Sequence, residues 1–181
     1  MEINRELRDK SGESLLLYWL GLLAKQQEKF AEAEDFCNQA LEIDRETGDR
    51  KGESALLYQL GLLAKQQEKY TEAEDFYNQA LEINRELLDK SGESLMLYRL
   101  GLLAKQQEKF AEAEDFYNQA LAIDRETGDR KGESALLYKL GLLAKQQEKF
   151  TEAEDFYNQA LEINRELLYK SGESLMLYRL G

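Results

Sequence analysis

The chain has 181 residues with a formal net charge of −12, no histidine, no proline and one cysteine. The absence of histidine excludes an imidazole base, a Ser-His or Cys-His nucleophile pair and a His-ligated metal, and a single thiol excludes an internal disulfide and a Cys-only zinc site. The acidic balance argues against nucleic acid or an anionic membrane as the main partner, because a polyanion needs a concentrated basic face.

One repeat organises the chain from end to end. The segment LGLLAKQQEK occurs four times, always forty residues apart, and residues 1–80 match residues 81–160 at all but eight positions. Even spacing of this kind is typical of stacked modules rather than of a domain with one shared centre. We therefore predict a single array over residues 1–181. Its predicted divisions are a partial unit at 1–10, repeats at 11–50, 51–90, 91–130 and 131–170, and a second partial unit at 171–181.

In chain order, residues 1–10 copy the end of a helix, and each repeat then consists of two predicted helices. In repeat 2 the first helix places Leu56, Leu60 and Leu63 on one apolar face at helical spacing. Gly61 lies inside that helix, where glycine costs about 1 kcal/mol against alanine, so we expect another backbone to approach closely there. Residues 171–181 copy only the start of a first helix.

The second helix of each repeat has an apolar side and an acidic, solvated side. In repeat 2 the apolar side carries Ala73, Tyr77 and Ala80. Thr71–Glu74 fits the S/T-x-x-E capping box, which predicts that the second helix starts there, whereas Ala111 in the same place predicts a weaker cap in an odd repeat. Glycines between the repeats predict the helix ends and the turns.

These patterns carry a family resemblance. L-x-x-L-G-x-x-A from Leu57, followed by A-x-x-x-Y from Ala73 and by Ala80, resembles the tetratricopeptide repeat, and the match recurs in four complete repeats. The forty-residue period and the GDRKGE junction at 48–53 resemble the longer subclass of G-protein-signalling modulators and bacterial multi-repeat proteins. The resemblance implies an all-α, right-handed α-solenoid of tandem helix-turn-helix repeats that acts as a non-catalytic protein-binding scaffold.

A second stripe on the first helices is the candidate binding surface. Helices at this place in the family line a concave groove that receives peptides, so the resemblance implies that five tyrosines and the leucines one turn later line such a groove here. They are Tyr18, Tyr58, Tyr98, Tyr138 and Tyr178, called the ladder tyrosines below, with Leu22, Leu62, Leu102 and Leu142. Tyrosine suits a binding wall because it offers a large apolar area and a hydroxyl donor. The alternative is that these tyrosines pack between neighbouring first helices and have only a structural role.

The residue after each ladder tyrosine is the most variable in the array. The five are Trp19, Gln59, Arg99, Lys139 and Arg179. This position is either a drifting surface or a tuned edge of the groove. If it is tuned, the basic residues and the single tryptophan favour a partner that carries carboxylates and one apolar side chain. The family's clamp for C-terminal carboxylates normally uses asparagine on the groove wall, where this chain has leucine, so a partner of that kind is not expected.

No catalytic, metal or cofactor site is predicted. Carboxylate pairs such as Glu74 and Asp75 lie on a solvated helix face where nothing raises a pKa, and no Asp-rich loop has calcium-binding spacing. Cys37 replaces the tyrosine of the other second helices, so we expect a buried, inert thiol. No apolar run approaches the ~20 residues of a membrane span, and a soluble cytoplasmic protein is expected.

Two functions remain open at the level of sequence. The first is a scaffold that binds a protein, peptide or helix along the groove. The second is a self-assembling, designed or excised array of near-identical repeats whose role is structural. The last predicted helix leaves apolar residues without a following partner, and solenoids normally need a polar cap there. We therefore expect head-to-tail or swapped self-association through the open ends.

Overall fold

The computed structural model describes the backbone of residues 2–180 and the side chains of residues 10–168. Over that part of the chain the structure is an all-α repeat solenoid without strands, which confirms the predicted fold class. The helices are α1 (Glu2–Gln26), α2 (Phe30–Thr47), α3 (Arg50–Gln66), α4 (Tyr70–Glu86), α5 (Lys90–Gln106), α6 (Phe110–Thr127), α7 (Arg130–Gln146) and α8 (Phe150–Leu180). The odd-numbered helices are the predicted first helices of the repeats, and the even-numbered helices are the second ones.

Two compact units divide the chain at residues 1–96 and 97–181, with the boundary inside α5. In the first unit α2 packs against α1 and α3, and α3 also packs against α4; in the second unit α7 packs against α6 and α8. The core of each unit combines large leucines of the first helices with alanines of the second helices. The small side chains allow the second helices to approach the leucine faces closely, which favours dense packing.

The turn inside each repeat places a glutamate in the left-handed region of backbone space. After α3, Glu68 has φ 60°, and the Lys69 amide donates to the Ala64 carbonyl at 2.9 Å, which is the closing hydrogen bond of a Schellman turn. Glu28, Glu108 and Glu148 repeat this conformation. The turn thus reverses the chain without glycine, although a residue with a Cβ pays about 1–2 kcal/mol there.

The second helices begin earlier than the capping box predicts, and that prediction is wrong. α4 starts at Tyr70 with Lys69 at its N-cap, and no side chain caps the helix; α2 and α6 begin in the same way. Thr71 therefore lies within the first turn, and its contrast with Ala111 does not distinguish the caps. The Schellman turn has already positioned the backbone, and the Lys69 carbonyl accepts the Ala73 amide at 3.0 Å to close the first helical turn.

Side-chain caps lie instead at the turns between repeats. Asp49, Asp89 and Asp129 each accept the amide three residues later through Oδ1, at 2.9–3.0 Å. The helices α3, α5 and α7 begin at Arg50, Lys90 and Arg130, one residue before positions 51, 91 and 131. The outer boundaries fall inside α1 and α8. At the last one the sequence has Tyr169 in place of the capping aspartate, and tyrosine has no carboxylate to start a new helix.

Buried polar side chains join the two helices of a repeat, a contact that the sequence pattern does not predict. Ser14 donates to Asp44 Oδ1 at 2.5 Å, and Ser54 donates to Asn84 Oδ1 at 2.8 Å. Ser134 makes the same bond to Asn164 at 3.0 Å. The acceptor thus alternates between a carboxylate and a carboxamide along the array. Satisfied buried hydrogen bonds of this kind fix how one helix is aligned along another.

Candidate functional site

Each ladder tyrosine of repeats 2 to 4 rests on a tyrosine of the second helix in its own repeat. The Tyr58 and Tyr77 ring centroids are 6.3 Å apart, and the other two pairs, Tyr98 with Tyr117 and Tyr138 with Tyr157, lie 6.2 and 6.0 Å apart. The rings are tilted by 37–41°, within the range of favourable aromatic contacts. Each of these ladder rings therefore packs on one side against a second-helix tyrosine and is not surrounded by solvent.

The supporting tyrosine in turn rests on the glycine of the first helix. A Cβ on Gly61 would lie 2.5 Å from the Tyr77 ring, so no larger residue fits without a shift. Gly101 with Tyr117 and Gly141 with Tyr157 have the same geometry. The close approach that the glycine predicts is real, but an aromatic ring makes it, not another backbone. The ring can approach the helix this closely because the backbone there carries no side chain.

Burial raises the pKa of two supporting tyrosines further above the physiological range, in which tyrosine is neutral. Tyr117 is fully buried, and its hydroxyl has no hydrogen-bond partner among the described residues. Burial, with a smaller contribution from the neighbouring Tyr98, raises the pKa of Tyr117 above its ordinary value. Burial also raises the pKa of Tyr157, with Tyr138 beside it. These rings act as apolar supports in the physiological pH range.

Repeat 1 has a different residue at the position of the supporting tyrosine. Cys37 lies where the other repeats have the supporting tyrosine, and a Cβ on Gly21 would lie 2.9 Å from its Sγ. The thiol is free and buried; burial raises the pKa of Cys37 to about 11, opposed by the charge of Lys25. The burial predicted from sequence is thus confirmed, and a protonated, buried thiol is a poor nucleophile. Tyr18 meets Trp19 instead, edge to face with centroids 5.6 Å apart.

The remaining predicted site residues are at least partly exposed wherever the structure describes them. Trp19 is 59% exposed and Tyr138 50% exposed. The half-buried residues are Tyr18, Leu22, Tyr58, Gln59, Leu62, Tyr98, Arg99, Leu102, Lys139 and Leu142. Tyr178 and Arg179 lie outside the described side chains. The candidate face thus has a partly open aromatic and aliphatic surface within each unit.

Cationic side chains lie over the rings in the second unit. Arg99 Cζ is 5.7 Å from the centroid of Tyr98, and Lys139 Nζ is 5.9 Å from the centroid of Tyr138. Cation–π contacts of this length are worth about 0.5–1 kcal/mol when exposed. In the first unit Lys25 Nζ donates to Gln59 Oε1 at 3.3 Å. The variable position therefore sets the charge at the edge of each ladder ring.

A cavity of about 170 Å³ opens beside Tyr18 in the first unit. Its walls are Ser11, Ser14, Leu15, Tyr18, Asp44, Asp49, Gly52, Ala55 and Leu56. Burial raises the pKa of Asp44; its hydrogen bond from Ser14 opposes the rise, and the charges of Asp49 and Glu53 add to it. The Asp44 carboxylate occupies the space beside Gly52, where the Cβ of any larger residue would collide with the carboxylate.

The described part of the chain has neither a membrane-spanning helix nor a metal-binding cluster. None of the described helices is long and apolar enough to cross a membrane. Within the same part of the chain, no three acidic or cysteine side chains come together in a way that would hold a metal ion.

Comparison with known proteins gives a family match and a common fold. A family model described as tetratricopeptide repeat matches residues 13–86 and 93–166, and a second model with the same description matches residues 58–127. No curated protein matches the chain.

Similar solved structures share the fold at low sequence identity. BtubC (BKLC) from P. vanneervenii has a TM-score of 0.77 at 24% identity, covering 85% of this chain and 64% of that one. A Rap protein complexed with competence and sporulation factor has a TM-score of 0.74 at 16% identity, covering 89% and 44%. A signal transduction ATPase with a tetratricopeptide repeat sensor, PH0952 from Pyrococcus horikoshii, has a TM-score of 0.79 at 19% identity, covering 85% and 24%. The chain thus spans less than two thirds of each of these proteins.

Proposed function

Because the chain belongs to the tetratricopeptide repeat family, we propose that it is a non-catalytic scaffold that binds a peptide or helix along the face of the ladder tyrosines. The observation that carries this proposal is the layered support of each ring. In repeats 2 and 3 a glycine contacts a buried tyrosine, which contacts a half-buried ladder tyrosine. Repeat 4 has the same order of contacts, with Tyr157 half-buried and Tyr138 exposed. A ring held in this way loses little further freedom when a partner covers it, so more of the contact energy appears as affinity.

The edge of the face sets the chemistry of the partner. In the second unit Arg99 and Lys139 lie over their ladder rings, which favours a carboxylate placed above the ring edge. In the first unit Trp19 is 59% exposed beside Tyr18, which favours an apolar side chain. The proposed partner is therefore an acidic segment with an apolar anchor. The Rap protein bound to competence and sporulation factor is a relative in fold that carries a bound factor.

Selection from a random peptide library on the full chain tests this function. We expect enrichment of acidic peptides with one aromatic or aliphatic anchor, and fluorescence anisotropy on a selected peptide then compares variants. Tyr58→Ala and Tyr98→Ala each remove a ladder ring and should weaken binding about tenfold, while circular dichroism confirms that the chain remains helical. Phe150→Ala is the matched control, because Phe150 is an exposed aromatic residue outside the ladder. Equal weakening by all three variants, or loss of stability without loss of affinity, contradicts the proposal.

A second candidate function is structural, namely end-to-end stacking of copies. One observation favours it: the apolar face of α1 is exposed at positions where α3 is buried, with Leu16 at 67% and Leu56 at 1%. A protein with such an uncovered face gains free energy when another helix covers it. The two candidate functions use different faces of the first helices, and one molecule can perform both.

A further inference from the structure

Helix α1 exposes a leucine face that is buried in the equivalent helices of the array. Leu16, Leu20 and Leu23 are 67%, 44% and 50% exposed. Forty residues later, Leu56, Leu60 and Leu63 are each 1% exposed. The two helices share the sequence LGLLAKQQEK, so the difference comes from what packs on them and not from the residues themselves.

The packing partners of α1 and α3 indicate what covers this face in α3. Each packs against the helix that follows it, α2 and α4 respectively, and α3 packs in addition against the helix that precedes it. The helix before it, α2, packs against α3 in the first unit, and α6 packs against α7 in the same way in the second unit. Asp44 of α2 reaches Gly52 of α3, and Leu41, one turn before Asp44, is only 5% exposed. The leucine face of a first helix is therefore built to receive the second helix of the preceding repeat.

Helix α8 is a second helix whose matching side is open. Leu161 is 45% exposed, whereas its equivalents Leu41 and Leu121 are each 5% exposed. Asn164 is exposed as well, whereas its equivalents Asn84 and Asp124 are buried. The exposed side of α8 and the exposed face of α1 are therefore equivalent to the two surfaces that pack against each other where α2 meets α3.

An ion pair recurs between successive repeats, and the residues equivalent to its two members are exposed on α1 and on α8. Arg45 Nε binds Glu53 Oε1 at 2.9 Å, and the equivalent pairs Arg85 with Glu93 and Arg125 with Glu133 have the same length. By the forty-residue period the next arginine is Arg165 and the preceding glutamate is Glu13. Both are exposed, whereas Glu53 and Glu133 are each 6% exposed. Charge complementarity therefore accompanies the apolar complementarity of the two surfaces.

We propose that the occupant of the α1 face is a second copy of this chain, whose α8 seats there with Leu161 against Leu16 and Leu20 and with Arg165 beside Glu13. The contact repeats between copies the packing of α2 on α3. Because the two surfaces differ, the contact is heterologous, and successive copies extend head to tail. This assignment rests on the second candidate function and defines its interface; it does not involve the ladder tyrosines.

Analytical ultracentrifugation of the full chain, from micromolar to submillimolar concentration, measures the association. Leu16→Ser should weaken it about tenfold or more, because a leucine loses its burial at the interface. Leu15→Ser is the matched control: Leu15 has a similar exposure of 57%, but its equivalents Ala55 and Leu95 are also exposed, so it lies off the contact. We expect Leu15→Ser to leave the association unchanged.

The charge pair tests the alignment of the two helices. Glu13→Arg and Arg165→Glu should each weaken association severalfold, and the double variant should restore it, because both residues are exposed and neither supports the fold of a single copy. A chain that remains monomeric throughout overturns both the interface and the structural function. Association that survives Leu16→Ser, or that the double charge exchange does not restore, overturns this interface alone and leaves stacking by another surface. Circular dichroism of each variant verifies an unchanged helix content.

Discussion

At the scale of single residues, the ring that rests on a glycine determines how closely the helices of a repeat pack. Three repeats have a tyrosine there, and repeat 1 has Cys37. Tyr77 and Tyr117 are both completely buried, so the ring fills space that a thiol cannot fill. The spacing of glycine and tyrosine is visible in the sequence, but their contact depends on how the two helices pack against each other.

Cys37→Tyr should stabilise the first repeat. The ring would occupy the place that Tyr77 has above Gly61, and large-to-small differences at buried sites are worth about 1–3 kcal/mol. Trp19 is the only tryptophan and lies in α1, so its fluorescence reports the unfolding of this repeat in urea. The reverse change, Tyr117→Cys, should destabilise the chain by a similar amount. A lower urea midpoint for Cys37→Tyr would mean that repeat 1 has closed around the thiol.

Asp44 should make the stability of the first unit depend on pH. Burial raises its pKa in the folded state, and the charges of Asp49 and Glu53 add to the rise. Its contribution to stability is therefore fully present below the unfolded pKa of about 4 and is lost as the pH rises through the higher folded pKa. Asp44→Asn should raise the thermal midpoint at neutral pH, and the two proteins should converge in acid.

The chain supplies the control for this change. Asn84 already accepts the equivalent serine hydroxyl at 2.8 Å, so the Asn side chain fits the place and keeps the hydrogen bond. Glu53 has the opposite sign: burial raises its pKa, but the hydrogen bonds from Arg45 and Arg50 outweigh burial and lower it. Its contribution is lost as the pH falls, and this loss is common to both proteins. An Asp44→Asn effect that is independent of pH would exclude a charged Asp44.

At the scale of helices, the turns between repeats show how sequence and backbone conformation are matched. Gly48 and Gly128 end α2 and α6 with φ 75°. The equivalent residue after α4 is Leu88, with φ 55° and 81% exposure. A leucine in the left-handed region pays a steric penalty that glycine does not pay.

Leu88→Gly should therefore stabilise the chain by about 1 kcal/mol. The substitution relieves the backbone and removes an exposed apolar side chain without removing any core contact. Gly128→Leu is the reverse change at the equivalent turn and should destabilise by about 1–2 kcal/mol. Urea unfolding of the two variants checks the pair. Destabilisation by Leu88→Gly would indicate that the Leu88 side chain supports the turn, which its exposure argues against.

The helices were easier to predict from sequence than the turns and the buried polar contacts. The 3.6-residue period of Leu56, Leu60 and Leu63 fixes a helix face, because burial requires the residues to coincide on one side. The start of α4 was misplaced because Thr71 fits a capping pattern, while the true start depends on a turn that any residue at Glu68 can form at a modest cost. The hydrogen bond from Ser54 to Asn84 was not predicted because it joins two helices, and spacing within one helix does not show which residues of two helices meet. Its only sign in the sequence is a polar residue on an otherwise apolar helix face.

The ladder positions can be read from the repeat in the sequence, but the contacts that hold their rings cannot. The ladder tyrosines follow from the repeat, and every one that the structure describes is at least partly exposed. Neither their rings' contact with the second-helix tyrosines nor the cavity beside Tyr18 follows from spacing within one helix. Both depend on the distance between helices, which the glycine and alanine positions set.

Over the chain as a whole, two segments of identical sequence lie in different surroundings. Any difference between them therefore measures the effect of packing alone. The segments 20–29 and 60–69 carry LGLLAKQQEK and differ only in position. Both belong to the first unit. In α1 Leu23 is 50% exposed, and in α3 Leu63 is 1% exposed. A repeat array derives its stability from each helix pair and from the contact with its neighbours, so a first helix with one face open should unfold locally at a lower free energy.

Native-state hydrogen exchange measures this difference directly. The intrinsic exchange rates of the two segments are nearly equal because their residues are the same, so the protection ratio gives the difference in opening free energy. We expect the amides of Leu22, Leu23 and Ala24 to be at least about tenfold less protected than those of Leu62, Leu63 and Ala64, a difference of about 1.4 kcal/mol. Equal protection of the two segments at low concentration would contradict this expectation, since the exposed face of α1 would then not lower its free energy of local unfolding. If α8 of a second copy covers α1, protection of residues 20–29 should rise with concentration while that of residues 60–69 stays constant, and Leu16→Ser should abolish the rise.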